Sequence, residues 1–234
     1  MITSGGAEVF ELPNWERTVA QSRFMTHTSH LERELILYGS DLAAPPSSAM
    51  DIGCEGGRFS QILAERGWSV ICADIDSSAL ELCQRRIPAA RCVLLKKENC
   101  ELPCADGSLG LLLCIECPVI PTEWFAREAT RALRAGGVLV GVFFNKLSWR
   151  GALVHSIALL RGNHDFYSKS YPTWRRVVRG QGFDMVREVG FRWPPFPLTS
   201  NSRLLPITLA TERAIGLHKL VAVSPLVGFV ARKR

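Results

Sequence analysis

Hydrophobic positions along the chain fall into short apolar runs that alternate with segments of helical periodicity. An amphipathic pattern first predicts a helical arm over residues 15–38. Seven later runs have the length of β-strands: about 48–53, 69–73, 91–95, 109–115, 137–144, 183–189 and 226–231. Because strands that alternate with helices form βαβ units, the pattern predicts an α/β fold with a parallel sheet.

Helical patterns fill most of the gaps between these runs. The predicted segments are about 58–66, 77–87, 122–134, 148–161, 172–180 and 203–215. Ser170 or Tyr171 is expected to cap the helix that opens at Pro172, because proline is favoured in the first helical turn. Gly136 and Gly137 are expected to stop the helix before them. The sixth and seventh runs are interpreted as a closing pair of strands.

The stretch AAPPSSA, residues 43–49, is the one linker-like segment of the chain. It predicts two parts. Residues 1–44 are predicted to form a helical arm that acts as a lid, and residues 45–234 are predicted to form the main domain. The elements that bind substrate are expected mainly within 145–220, where the sequence becomes polar and aromatic.

Composition narrows the class of protein. The 234 residues contain 47% hydrophobic amino acids, enough for a sizeable core, but no apolar run of about 18 residues that would cross a membrane. The first residues lack the pattern of a signal peptide. We therefore expect a cytoplasmic protein whose eight cysteines are reduced thiols.

The net charge of +6 permits an anionic substrate, a nucleic acid or a membrane surface, and requires none of them. We expect a small-molecule substrate rather than a nucleic-acid partner. The apolar segment at 148–162 carries arginine near both ends, so peripheral contact with a membrane stays open, although core packing is the commoner explanation. The sequence does not determine the oligomeric state.

A glycine-rich turn, AMDIGCEGGRF, follows the first predicted strand. Such a turn between a strand and a helix places backbone N–H groups at the carboxyl edge of the sheet, where ligands bind. Asp74 ends the second predicted strand 21 residues after Gly53, a position from which a carboxylate can accept hydrogen bonds from ribose hydroxyls. A glycine-rich turn with a ribose acid predicts an adenosine-type cofactor.

Three classes of cofactor compete for this loop. A nucleoside triphosphate is disfavoured because Arg58 and Phe59 stand where a P-loop needs Lys and Ser or Thr. A dinucleotide is disfavoured because Glu55 would place a negative charge beside its pyrophosphate. S-adenosylmethionine has no phosphate and carries a sulfonium cation, so it tolerates an acidic residue in the loop.

The motifs in this order resemble those of class I S-adenosylmethionine-dependent methyltransferases, in particular the small-molecule group typified by ubiquinone-biosynthesis enzymes. The resemblance is best over residues 49–145. It is carried by four stretches: MDIGCEGG, ADIDSSAL, ENCELPCADGSLGLLLC and REATRALRAGGVLVG. Glu55 replaces the middle glycine of the family loop, and Glu98 stands where aspartate is commoner. The resemblance implies a Rossmann-like sheet of seven mostly parallel strands, with helices on both faces and the last strand antiparallel.

The resemblance also implies which residues bind S-adenosylmethionine. The loop from Asp51 to Gly57 would wrap the methionine part, Asp74 would bind the ribose, and Glu98 with Asn99 would face the adenine. The full predicted set is Asp51, Gly53, Cys54, Gly57, Asp74, Ile75, Glu98, Asn99 and Cys114.

Methyl transfer needs an aligned acceptor and, for some acceptors, a base. Glu116 follows the fourth predicted strand at the edge where the methyl group would lie, and a solvated loop acid explains it about as well. His164 and Tyr171, with Asp165 and Tyr167 beside them, are further candidates from the variable stretch that would form the pocket wall. The predicted catalytic residues are therefore Glu116, His164 and Tyr171.

Cys100, Cys104, Cys114 and Cys117 have the C-x3-C and C-x2-C spacings of a zinc site. All four are equally explained as small buried hydrophobic residues, so no metal site is predicted.

The sequence favours methyl transfer to O, C or N of a small, apolar or aromatic metabolite. Apolar and aromatic residues outside the core pattern, among them Trp149, Leu153 and Trp193, suggest an apolar or aromatic acceptor. Three alternatives remain at this stage: an RNA or protein methyltransferase, a methyltransferase-like protein without catalysis, and an NAD-dependent reductase. The acceptor molecule, the methylated atom and the role of Glu55 are not determined by the sequence.

Overall fold

A seven-stranded sheet organises the chain, in a computed structural model that describes residues 14–96, 98, 100–160 and 167–234. The strands are β1 (Ser48–Ile52), β2 (Ser69–Asp74), β3 (Arg91–Leu94), β4 (Leu109–Cys114), β5 (Leu133–Phe144), β6 (Phe183–Phe191) and β7 (Leu226–Lys233). They lie in the order β3-β2-β1-β4-β5-β7-β6. β1 to β5 pair in parallel, while β7 is antiparallel to both β5 and β6. The predicted fold class and the closing pair of strands are confirmed.

The strand order places a ligand site at one edge of the sheet. β1 is followed by β2 and β3 on one side, and the chain then crosses to β4 and β5 on the other. Between β1 and β4 the connections therefore leave in opposite directions, which opens a crevice at the carboxyl ends of these two strands. The glycine-rich turn follows β1, and Glu116 follows β4.

Eight α-helices surround the sheet. They are α1 (Asn14–Gln21), α2 (Arg23–Leu42), α3 (Arg58–Glu65), α4 (Ser77–Arg86), α5 (Glu123–Ala132), α6 (Trp149–Leu160), α7 (Tyr171–Gly180) and α8 (Leu205–Ala214) among the described residues. Side-chain oxygens accept hydrogen bonds from first-turn N–H groups at Ser22, Asp76, Thr122 and Ser170, so these helices begin where polar caps stand. The predicted cap at Ser170 is confirmed. None of the described helices has the length and apolar character that crossing a membrane requires.

The sheet buries apolar residues on both faces. β4, with the sequence LGLLLC, is buried at every position, as expected for a central parallel strand. One core contains Leu111 and Leu113 of β4 and packs under α2 and α3. The other contains Leu112 and Cys114 and packs under α5 and α7. The alternation along a single strand thus supplies both cores.

The N-terminal arm is two helices rather than the predicted single one. Ser22 separates them: its hydroxyl accepts a hydrogen bond from the Met25 N–H (3.2 Å) and donates one to the carbonyl of Leu198 (2.5 Å). Glu16 of α1 forms a two-point ion pair with Arg86 of α4, both contacts at 2.8 Å. The arm is therefore held to the main body by polar contacts at both of its helices.

The glycine pair before β5 does not stop a helix, contrary to the sequence prediction. α5 ends at Ala132, and Leu133 already has an extended backbone (φ −77°, ψ 137°). Gly136, with φ of +73°, instead lies within β5, where glycine permits a left-handed residue inside a strand. The other elements end within two residues of the predicted bounds, apart from the two N-terminal helices.

Candidate active site

The glycine-rich turn between β1 and α3 has a left-handed backbone at three positions. Gly53, Glu55 and Gly57 have φ values of +70°, +47° and +79°. A Cβ on Gly53 would lie 2.8 Å from Sγ of Cys117, and one on Gly57 would lie 2.6 Å from Sγ of Cys83. Both glycines are therefore required by backbone conformation and by close packing, as the motif predicted.

Asp74, the last residue of β2, holds this turn through its carboxylate. Oδ2 accepts a hydrogen bond from the Glu55 N–H at 2.9 Å, and Oδ1 accepts two, from the N–H groups of Ile75 (2.7 Å) and Asp76 (3.1 Å). A carboxylate has about four acceptor positions. Asp74 therefore keeps one free position on Oδ2, enough for one ribose hydroxyl rather than two.

Asp51, the fourth residue of β1, is buried beneath the turn. The Ser60 hydroxyl of α3 donates a hydrogen bond to its Oδ2 at 2.6 Å. Burial raises the pKa of the Asp51 carboxyl to about 7, although the Ser60 hydrogen bond opposes this shift. This hydrogen bond joins β1 to the first turn of α3, so Asp51 holds together the two elements that the loop connects.

Glu55, within this loop, lines the cavity that lies above it. Burial raises the pKa of its carboxyl to about 7, and the Arg58 guanidinium works against this shift. Arg58 stacks over the ring of Phe59, with 3.8 Å from its Cζ to the ring centroid. The loop therefore presents one carboxyl and one guanidinium to the same cavity.

This cavity has a volume of about 450 Å³, in the range of sites that bind cofactors and small molecules. The loop and Asp74 form one side of it. Apolar side chains form the other, and they are Ile115, Pro118, Val119, Trp124 and Phe144 among the lining residues. Trp149, Leu153 and Trp193, from which an apolar pocket was expected, are not among the residues that line it.

Glu116 lines the same cavity and takes part in a buried cluster of charges. It has a left-handed backbone (φ +51°), and its Oε1 lies 2.5 Å from a guanidinium nitrogen of Arg192, which is itself left-handed (φ +63°). The two side chains are 9% and 3% exposed. A non-glycine residue in this conformation is strained, and such strain concentrates at functional sites.

Glu32 of α2 is the third member of this charge cluster. Its Oε2 accepts a hydrogen bond from Arg58 at 3.2 Å, and the negative charge of Glu116 acts on its carboxyl. Burial, with the negative charge of Glu116, raises the pKa of Glu32 to about 8. Glu32 and Arg192 were not predicted as site residues, because nothing in their local sequences indicates a contact with the segment after β4.

Of the remaining predicted site residues, some line the cavity and others do not. Ile75 and Cys54 line the cavity. Cys114 is buried in the core on the other face of β4 and does not line the cavity, and Glu98 is exposed and outside the lining. Asn99 and His164 lie outside the described residues.

Tyr171 does not support its predicted catalytic role. Its ring is fully buried against Phe143 and Trp174, and its hydroxyl donates a hydrogen bond to Glu188 at 2.7 Å. The neighbouring carboxylate and burial raise its pKa well above the usual value. Tyr171 is thus a core residue at the start of α7, and its hydroxyl is already engaged away from the cavity.

Residues 50–141 match the family model described as a methyltransferase domain. This region is a methyltransferase domain of the S-adenosylmethionine-dependent class. The enzyme's cofactor is S-adenosylmethionine, and the matched region contains the loop, Asp74 and Glu116. Comparison with curated proteins gave no significant match.

Solved structures share the fold over nearly the whole chain. A methyltransferase from Thermotoga maritima is 16% identical, with 94% of this chain and 93% of that one covered, at a TM-score of 0.60. The geranyl diphosphate C-methyltransferase of Streptomyces coelicolor is 14% identical, covering 98% and 88%, at 0.65. A geranyl diphosphate methyltransferase in complex with the cofactor is 18% identical, covering 96% and 94%, at 0.65.

The raised pKa of the buried Glu32 lets us predict how the stability of the protein varies with pH. Its pKa is raised on folding, so the folded state holds a proton that the unfolded state releases above about pH 4.3. The stabilisation is complete below that pH and is lost as the pH rises through about 8. We expect the melting temperature of the ligand-free protein to fall by several degrees from pH 5 to 8, and Glu32→Gln to flatten this dependence.

Scanning calorimetry over this pH range measures the effect. Glu34→Gln is the matched control, since Glu34 is exposed two residues away on α2. Equal slopes for the wild type and Glu32→Gln would show that Glu32 is not protonated in the folded protein.

Proposed function

We propose that the enzyme transfers the methyl group of S-adenosylmethionine to an O, C or N atom of a small metabolite with an apolar or aromatic body. One observation carries the proposal: a single cavity is lined by the glycine-rich loop with Asp74, by apolar side chains and by Glu116. Two structures with this fold are geranyl diphosphate methyltransferases, which supports a small acceptor.

In this proposal the loop from Asp51 to Gly57 and the carboxylate of Asp74 hold the cofactor. The free acceptor position on Asp74 Oδ2 takes one ribose hydroxyl. Methyl transfer is an in-line displacement at a carbon that the sulfonium already activates, so alignment and exclusion of water supply most of the rate acceleration. The apolar wall supplies both, because it surrounds the acceptor beside the methyl group.

Glu116 is proposed to accept the acceptor's proton or to stabilise the positive charge that develops on it. Arg192 holds one of its oxygens, and the buried Glu32 of α2 interacts electrostatically with its carboxyl. The Arg192 ion pair fixes the direction of the Glu116 carboxyl, and Glu32 modulates its charge. Arg192 and Glu32 therefore act as positioning residues and do not themselves reach the acceptor.

Transfer of a deuterated methyl group tests the proposal. The enzyme is incubated with methyl-labelled S-adenosylmethionine and a cell extract separated into small molecules, RNA and protein. Mass spectrometry then follows the label and S-adenosylhomocysteine. We expect label in the small-molecule fraction. Label confined to RNA or protein would overturn the choice of acceptor class, and bound cofactor without any transfer would identify a protein that binds without catalysis.

The apolar wall gives a more local prediction. Phe144 ends β5 on the side of the cavity away from β2. Phe144→Ala removes about 2 kcal/mol of apolar contact, so we expect the KM of the acceptor to rise about 10-fold or more. The Kd of S-adenosylmethionine, measured by calorimetry, is expected to change by less than about twofold.

Leu147→Ala is the control for this variant, because Leu147 is exposed just beyond β5 and does not line the cavity. If Phe144→Ala weakened the cofactor and the acceptor equally, the wall would belong to the cofactor site instead.

A further inference from the structure

Four cysteines lie together on one face of the sheet, at and beneath the glycine-rich loop from Asp51 to Gly57. Cys54 belongs to the loop, Cys72 to β2, Cys83 to α4 and Cys92 to β3. The Sγ atoms of Cys54, Cys72 and Cys83 all lie within 4.8 Å of one another, and these three residues are buried. All four contact the same hydrophobic core.

The fourth cysteine is placed by the register of the sheet. Cys72 and Cys92 are partners on the neighbouring parallel strands β2 and β3, so their side chains leave the sheet on the same face. Cys92 therefore lies beside Cys72 and packs against the same core as Cys54 and Cys83. It is half-buried, so it connects the buried thiols to the surface.

We propose that Cys54, Cys72, Cys83 and Cys92 form a tetrahedral thiolate site for a zinc ion. Four thiolates are an established ligand set for structural zinc, with Zn–S distances of about 2.3 Å. At that distance the sulfurs of a tetrahedron lie about 3.8 Å apart. The three buried sulfurs therefore need to approach one another by about 1 Å at most, and the Cys92 side chain has to turn towards them to complete the tetrahedron.

Binding is balanced by the release of protons. Four neutral thiols lose four protons, four Zn–S bonds form, and the ion gives up its coordinated water, with no change in oxidation state. Proton release makes binding stronger as pH rises, and Cys92 provides the path of entry.

The site differs from the one suggested by cysteine spacing. Cys100 is exposed, while Cys104, Cys114 and Cys117 contact the core on the opposite face of the sheet. The cysteines that meet have no short C-x2-C spacing, because four separate elements supply them. A motif search therefore cannot find them.

The proposed zinc ion would be coupled to the cofactor site. Cys54 is adjacent to Glu55, whose N–H donates to Asp74. Gly57, at the end of the same loop, packs against Cys83. An ion that ties Cys54 to β2, β3 and α4 would therefore anchor the loop to the sheet independently of the bound cofactor.

Metal analysis of the full chain tests the proposal. The protein is expressed without a metal-binding tag in zinc-supplemented medium, kept reduced and purified without chelators. We expect about one zinc per chain by mass spectrometry, and thiolate-to-cobalt charge-transfer absorption when Co²⁺ replaces zinc. Zinc below about 0.1 per chain, with no such absorption on Co²⁺ titration, would overturn the site.

Single variants locate the ion. Cys72→Ser and Cys92→Ser are expected to weaken zinc binding at least about 100-fold in competition with a chromophoric chelator, whereas Cys100→Ser and Cys104→Ser bind as the wild type does. Cys92→Ser is informative even if Cys72→Ser fails to fold, because Cys92 lies at the edge of the core. Zinc that is lost in the Cys100 or Cys104 variants, and kept in the Cys72 and Cys92 variants, would contradict the assignment.

Discussion

Asp74→Ala is expected to weaken the binding of S-adenosylmethionine about 100-fold. Two losses combine. The variant lacks the charged acceptor for a ribose hydroxyl, and a hydrogen bond to a charged group contributes about 1.5–3 kcal/mol. It also leaves the N–H groups of Glu55, Ile75 and Asp76 without their acceptor, so the cofactor loop loses its anchor. Isothermal titration calorimetry measures the change directly.

Two further variants separate these losses. Asp74→Asn keeps one acceptor oxygen for the loop and removes the charge, so its Kd is expected to lie between those of the wild type and Asp74→Ala. Glu81→Ala removes an exposed carboxylate from the neighbouring helix α4 and is expected to leave the Kd unchanged. An Asp74→Ala protein with wild-type affinity would refute the placement of the ribose.

Residues at or just after the carboxyl ends of the predicted strands were the part of the candidate site that the sequence could predict. The glycine-rich turn and Asp74 follow strands whose order is readable from hydrophobic periodicity, and parallel strands bring their carboxyl ends to one edge of the sheet. Glu116 was placed at this edge for the same reason. Local pattern and sheet topology together were sufficient for these residues.

The charge cluster around Glu116 could not be predicted in the same way. Glu32 and Arg192 lie on α2 and after β6, and their contact depends on how these elements pack over the sheet. Their local sequences suggest an ordinary helix acid and an ordinary loop arginine, which are usually exposed. Only the three-dimensional packing shows that both are buried.

Tyr171 was misjudged because its surroundings in sequence are polar. The polar residues before it suggested a position on the pocket wall, yet the ring packs in the core against Phe143 and Trp174. Glu188 of β6 accepts a hydrogen bond from the hydroxyl and so reduces the cost of burying it. A partner on a separate element is not visible in local sequence.

Glu116→Gln is expected to lower the rate of methyl transfer about 100-fold or more while the Kd of S-adenosylmethionine stays within about threefold of the wild type. A positioned acid or base contributes about 10²–10⁴ to the rate of proton transfer. The amide preserves the shape of the side chain but accepts no proton. The rate is measured as transfer of labelled methyl groups to the small-molecule fraction at saturating cofactor.

The substitution also leaves the buried Arg192 without its negative partner, which by itself destabilises a protein. The double variant Glu116→Gln with Arg192→Met removes both charges and controls for this effect. If Glu116 handles the acceptor's proton or charge, the double variant regains thermal stability but remains slow. Glu116→Asp, which keeps the carboxylate, recovers part of the rate. Recovery of full activity in the double variant would show that Glu116 serves only to neutralise Arg192, and the chemistry would then rest on alignment of the acceptor alone.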